Sequence, residues 1–172
     1  VKTRLIMLSL LAAANLAHAD LAEKISNRKP NRYQPDTAWQ EQVLPLPGYP
    51  VTTQWIELDT PVTVKPRVFI DSSSLVLAED RTVRFALRQL SSSGIDNISL
   101  EGMHCGERTQ RSFAFADTVG KRWIASSRGE WRRLDGNSAL LQTVIKALCP
   151  EDAPPLSAEE LTNNLKQAAK RR

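Results

Sequence analysis

Three runs of sequence decide the fold: Thr82–Leu90 (TVRFALRQL), Asn97–His104 (NISLEGMH) and Gln110–Asp117 (QRSFAFAD). In the first, Val83, Phe85 and Leu87 share one face while Arg84 and Arg88 share the other, the period-two signature of a half-buried strand. In the second, Ile98 and Leu100 lie together on one face, Glu101 and Met103 on the opposite one. The third carries Phe113 and Phe115. Ser91-Ser-Ser-Gly94 joins the first pair and Gly106 breaks the second, both with turn chemistry. Short alternating runs joined by tight turns predict an antiparallel meander.

Working outward, Arg67–Asp71 and Leu75–Ala78 read as earlier strands, the latter turning at Glu79-Asp80-Arg81. Trp123-Ile124 and Trp131–Leu134 read as later ones, separated by Gly120 and Gly129. All ten prolines fall in residues 30–66 or 150–155. Proline is excluded from central strands and helix interiors, so the proline-free block 67–149 is the packed body. Within it Leu140, Leu141, Val144, Ile145 and Leu148 make a helical apolar stripe ending at Cys149-Pro150. Upstream, Trp39–Tyr49 (WQEQVLPLPGY) is apolar but too proline-rich for a helix. It reads as an extended arm over the core, with Trp39 and Leu44 as anchors and Trp55 in a similar role. The expected fold is α+β: five to seven antiparallel strands packed against one disulfide-tethered helix, with an N-terminal arm.

The chain has 172 residues, 41% of them hydrophobic, which suits one domain and excludes global disorder. Residues 1–19 read as an export signal. Lys2 and Arg4 precede an apolar stretch from Leu5 to Ala17, and Ala17-His18-Ala19 offers small residues for cleavage after Ala19. Thirteen helical residues reach only about 20 Å, short of a hydrocarbon core of roughly 30 Å. The organisation follows: signal 1–19, a polar segment 20–36, a globular domain 37–149, and a linker with a basic C-terminal helix or tail at 150–172. In that tail Ser157-Ala-Glu-Glu160 is a capping box, but the apolar side (Leu161, Leu165, Ala168, Ala169) is thin. Loose docking is expected. The expected location is the periplasm, with no transmembrane segment in the mature protein.

Outside the cytoplasm, two cysteines without a third favour one intramolecular disulfide, Cys105–Cys149. The competing reading makes Cys105 a nucleophile beside His104. Adjacent strand residues point to opposite faces, which places His104 badly for that task.

Catalytic patterns are sparse. There is no phosphate-binding glycine loop, no CxxC and no HExxH, and His104 is the one histidine left after cleavage. No catalytic residue, metal site or cofactor is expected. Asp71, Asp80, Glu101, Asp117 and Asp135 are available for paired-carboxylate chemistry. Glu101 stands out because it sits mid-strand, where glutamate is disfavoured; a solvent-facing or arginine-paired carboxylate is the simpler reading. It gives the alternative function, an enzyme on envelope glycans using Glu101 and a second carboxylate.

The net charge of +4 is small for 23 basic and 19 acidic residues, so a nucleic-acid protein is not indicated. The charge is uneven. Residues 107–133 carry seven basic and three acidic residues together with two tryptophans. Arg111, Arg122, Trp123, Arg128, Trp131 and Arg132, with Lys121 and Arg133 nearby, are the candidate ligand-binding residues. They suit an anionic envelope component, a lipid head group or polysaccharide, or a periplasmic protein partner. The leading function is a non-catalytic binding or accessory role in the envelope.

From about Trp39 to Cys149 the chain resembles the cryptic-neisserial-protein-like family, small exported proteobacterial proteins of uncharacterised role. The resemblance rests on Trp39-Gln-Glu41, Leu46-Pro-Gly-Tyr-Pro50, Phe69-Ile-Asp71, Glu79-Asp80, Val83-Arg84-Phe85 and Asn97-Ile-Ser-Leu-Glu-Gly-Met103 with Cys105. Trp123, Trp131 and Leu148-Cys149 complete it. It implies an exported single domain and the Cys105–Cys149 pairing, and it supplies no activity, ligand or cofactor. Where the family commonly has Gly after the turn aspartate, this chain has Arg81.

Overall fold

The computed structural model describes residues 39–134 and 136–169. The segments read as signal and polar leader, Asp135 and the closing Lys170-Arg-Arg172 lie outside the described residues. Among the described residues eight strands form one antiparallel sheet: β1 (Trp55–Glu57), β2 (Arg67–Asp71), β3 (Val76–Leu77), β4 (Thr82–Leu90), β5 (Asp96–His104), β6 (Thr109–Asp117), β7 (Arg122–Ala125) and β8 (Arg132–Arg133). Two α-helices follow, α1 (Ala139–Leu148) and α2 (Ala158–Gln167). The α+β meander stands, with one strand more than the upper expectation and a second packed helix. The additional strand, β1, lies between the prolines at 50 and 61, and its three residues pair with β2.

Three nine-residue strands, β4, β5 and β6, make the centre. β2 pairs with the second half of β4, placing Ile70 opposite Leu87, and β3 with the first half, placing Leu77 opposite Val83. The outer edge of β6 is shared in the same manner by β7 and β8.

Alternation assigns the two faces. Val68, Ile70, Val83, Phe85, Leu87 and Met103 meet Val144, Ile145, Leu148, Leu161 and Leu165 of the helices in one core cluster. Glu101 shares this helix side with Met103, while Leu100 and His104 point to the other. Ser138 caps α1, its hydroxyl accepting from the Leu141 amide. Ser157 accepts from the Glu160 amide and Glu160 accepts from the Leu156 amide, which fixes the start of α2. The apolar side of α2 is thin but deep: Leu161 and Leu165 are fully buried, and Ala169 bridges to Leu58. The helix therefore docks, against the looser expectation.

Cys105 and Cys149 form a disulfide 44 residues apart in sequence, joining the residue after β5 to the end of α1. Both half-cystines are buried in the core cluster. In the chain-entropy picture, closing a loop of that size stabilises the fold by about 4 kcal/mol.

Arg81 adopts φ +65°, the left-handed region that glycine occupies without cost. This is the turn position where the resembling family commonly has Gly. The turn is held instead by Asp80, whose carboxylate accepts from the Thr82 amide at 3.0 Å and the Thr82 hydroxyl at 2.6 Å.

Candidate functional site: two faces of one sheet

The arm, residues 39–50, crosses the sheet face opposite the helices. Trp39 donates from Nε1 to the Asp80 carbonyl at 2.8 Å, and the Gln42 amide donates to Asp80 Oδ2 at 2.8 Å. Burial opposes the Asp80 charge, but the donors from Thr82 and Gln42 and the nearby Arg84 outweigh it, so its pKa is lowered. Trp39 meets the rings of His104 and Trp131 edge-on at 5.0 and 5.4 Å. Phe113 is the extra residue of a bulge: Leu100 pairs with Ala114 and Glu101 with Ser112. Gly102 permits the close approach of Phe113 and Trp131, since a Cβ there would lie 2.5 Å from the Phe113 ring. The guanidinium carbons of Arg84 and Arg111 stand 4.6 and 4.9 Å from the centre of that ring.

Of the six candidate ligand residues, this arm face takes three. Arg111 pairs with Glu41 of the arm, Trp131 packs under Trp39, and Trp123 meets the Tyr49 ring at 5.6 Å. Arg122 pairs with Asp117 at the tip of the β6–β7 hairpin, 3.0 Å apart. Arg128 and Arg132 line an open groove on the helix side, with neither guanidinium in an ion pair among the described residues. The contiguous sequence segment is therefore divided by strand alternation between the two faces and a hairpin tip.

On the helix side, the polar groups form a patch the sequence only partly announced. Gln89, Asn97, Ser99, Glu101, Gln110 and Ser112 all point to this face and line a groove walled by Leu140 and Leu141 of α1. The groove has a volume of about 400 Å³. Phe115, opposite Ser99, is half exposed at 50% beside it. Glu101 is buried, with both carboxyl oxygens accepting from the Ser112 hydroxyl at 3.0 and 2.8 Å. Burial raises its pKa, and hydrogen bonds from Ser99 and Ser112 limit the rise. It is neither solvent-facing nor paired with an arginine. Gln110, Ser112 and Phe115 also line the adjoining groove of Arg128 and Arg132, so the two depressions are continuous. The signal available in sequence was the run Asn97, Ser99, Glu101 at alternate positions, polar where the same side of β5 later carries Met103.

Glu130 lines the adjoining depression, and the other carboxylate of the Glu101 depression itself is Asp96, five residues along the same strand. That is about 16 Å at 3.3 Å per residue, beyond the roughly 5–10 Å separation used in glycoside hydrolysis. Asp96 is also committed to Arg88, which it binds through both oxygens. His104 is buried and its Nδ1 accepts from the Glu107 amide at 3.1 Å; burial lowers its pKa. With Cys105 in a disulfide, no thiol stands beside it. Among the described residues no group of His, Cys, Asp or Glu is arranged to hold a metal ion. No helix of the described residues is long and apolar enough to cross a membrane.

The family profile described as CNP1-like family matches residues 34–166, most of the chain. The chain belongs to the CNP1-like family. It is 30% identical over 121 residues to cryptic neisserial protein 1 of Neisseria gonorrhoeae (strain ATCC 700825 / FA 1090), a match covering 62% of this chain and 59% of that protein. The chain thus spans about three-fifths of the curated relative it matches. No solved structure matches it. The matched segment includes the arm, the whole sheet and nearly all of α2, so the CNP1-like region contains both faces described above.

Proposed function

We propose that this CNP1-like protein is an exported, non-catalytic binding module of the cell envelope, and that it binds a glycan bearing anionic substituents. The domain bounds, the cleavable signal and the periplasmic location belong to this proposal; a buried disulfide is in keeping with an oxidising compartment. The observation that carries the reading is the continuous groove from Glu101 past Phe115 to Arg128 and Arg132. An exposed aromatic face accepts the C–H side of a sugar ring, and amide, hydroxyl and carboxyl groups exchange hydrogen bonds with its hydroxyls. The two unpaired guanidiniums supply the site for a carboxylate or phosphate. The wide separation of Asp96 and Glu101, and the commitment of Asp96 to Arg88, count against that pair as hydrolytic carboxylates.

The test is retention of the mature protein on glycan strands prepared from peptidoglycan, whose sugars carry carboxyl groups, across a salt series. Binding is expected at low salt and declines as salt rises. Phe115→Ala removes an exposed ring without touching the core and abolishes retention; Arg128→Ala with Arg132→Ala removes its salt dependence. No retention at low salt, or full retention by Phe115→Ala, overturns the proposal.

A further inference from the structure

Beneath the arm lies a second, separate cavity of about 290 Å³. Its roof is the proline-rich run Leu44–Pro50 and its floor is Ala86, Leu100, Phe113 and Trp123. One end is closed by Asp71, Ser73 and Ser74. Asp71 is 1% exposed, at the end of β2 and on the arm face. Its two oxygens are treated unequally. Oδ1 accepts from the Gln54 amide at 2.8 Å, the Ser73 amide at 3.0 Å and the Ser73 hydroxyl at 2.6 Å. Oδ2 is buried and has no hydrogen-bond partner among the described residues.

A buried carboxylate oxygen without a donor is costly, and native proteins seldom leave one so. The other charged wall residue, Arg84, does not relieve it. Its guanidinium is engaged by Asp80 at 3.3 Å and by the Gln42 carbonyl at 2.6 Å. Asp71 is thus the charged residue of this wall without a countercharge among the described residues. Apart from Ser73 and Ser74 beside Asp71, and Gly48, the remainder of the lining is aliphatic, proline or aromatic, which sets the body of any occupant.

We propose that this cavity binds a small amphipathic cation, a primary ammonium on an apolar body, with the ammonium donating to Asp71 Oδ2. The size follows from the volume. A cavity of about 150 Å³ holds benzene, so this one holds an apolar body of roughly a dozen heavy atoms. An alkyl chain or single aromatic system of that length lies between the prolines and the Phe113 and Trp123 rings. This site is independent of the glycan groove, which opens on the opposite face of the sheet.

The experiment is calorimetric titration of the mature protein with n-octylamine, n-octanol and octanoate, three ligands of one length and different head groups. Octylamine binds at least about tenfold more tightly than octanol, the margin of a charge-assisted hydrogen bond, and octanoate does not bind. Asp71→Asn keeps Oδ1 and its three donors, leaves octanol binding in place, and erases the advantage of the amine. Ala86→Leu fills the floor and abolishes binding of both. Val76→Trp, at a half-exposed cavity position, does the same should Ala86→Leu fail to fold. Equal affinities for amine and alcohol in the unsubstituted protein overturn the assignment of Asp71. Octylamine binding that survives both filling substitutions, or its absence altogether, overturns the site.

Discussion

Replacing both half-cystines by alanine gives a result whose size the structure fixes in advance. The disulfide closes 44 residues, and the loop term is about 4 kcal/mol. Both sulfurs sit in the core, Cys105 fully buried and Cys149 2% exposed, so the double variant also loses some packing. For a domain of this size each kcal/mol moves the thermal midpoint by about 3–5 °C, so the midpoint falls by roughly 12–20 °C. Far-ultraviolet circular dichroism of the oxidised protein, the reduced protein and the double variant reads it directly, and the last two should nearly coincide. A urea titration supplies an independent mark. Without the cross-link the unfolded chain is less compact, so the variant has the steeper denaturant slope. A midpoint within about 4 °C of the parent protein would falsify the view that the disulfide is a principal stabiliser of this fold.

Arg81→Gly removes a side chain from a left-handed turn position and should raise stability by about 0.5–1 kcal/mol, the left-handed cost less the entropy glycine adds to the unfolded chain; a lower denaturation midpoint refutes it. Leu161→Ala, at a fully buried position of α2, should cost about 3–5 kcal/mol in a urea titration. A loss below about 1 kcal/mol would mean the helix adds little to the core. Two of the buried titratable groups, His104 and Glu101, give opposite pH responses. His104 has its pKa lowered by burial, so its neutral form is favoured in the fold and stability is lost as pH falls below about 6.5; His104→Gln should flatten that slope of thermal midpoint against pH. Glu101 has its pKa raised by burial, so stability is lost as pH rises above about 4.3, and Glu101→Gln should be more stable than the parent at pH 7. A Glu101→Gln protein that is less stable at pH 7 contradicts the burial argument.

The sheet was legible because its three long strands alternate cleanly and the helix stripe of Leu140, Leu141, Val144, Ile145 and Leu148 is unambiguous. The disulfide was legible from cysteine number. What was not legible was mostly a matter of context. α2 carries few apolar residues, and only the fold shows that Leu161 and Leu165 are the two aimed at the core. The basic segment looked like one surface because neighbours in sequence look like neighbours in space. Strand alternation and the hairpin at Gly120 instead put Trp123 and Trp131 under the arm and Arg128 and Arg132 on the opposite side. In the sequence Glu101 is anomalous for its strand, and the anomaly is interpretable only with Ser112 and Phe115 from the neighbouring strand. Asp71 is one carboxylate among several in the sequence; its orphaned oxygen is a property of three dimensions alone.

The broken outer strands have a consequence for how this protein behaves in company. Along the flank of β4 the edge is split between β2, itself covered by the three-residue β1, and the two-residue β3; along the flank of β6 it is split between four-residue β7 and two-residue β8. A neighbouring molecule that tried to extend the sheet would find no outer strand longer than four residues among those described. It would meet arginines at Arg122, Arg132 and Arg133 along the second flank. Short, charged, interrupted borders of this kind deny strangers a template for strand addition. The sheet can thus be crowded among its own copies without growing into a fibre.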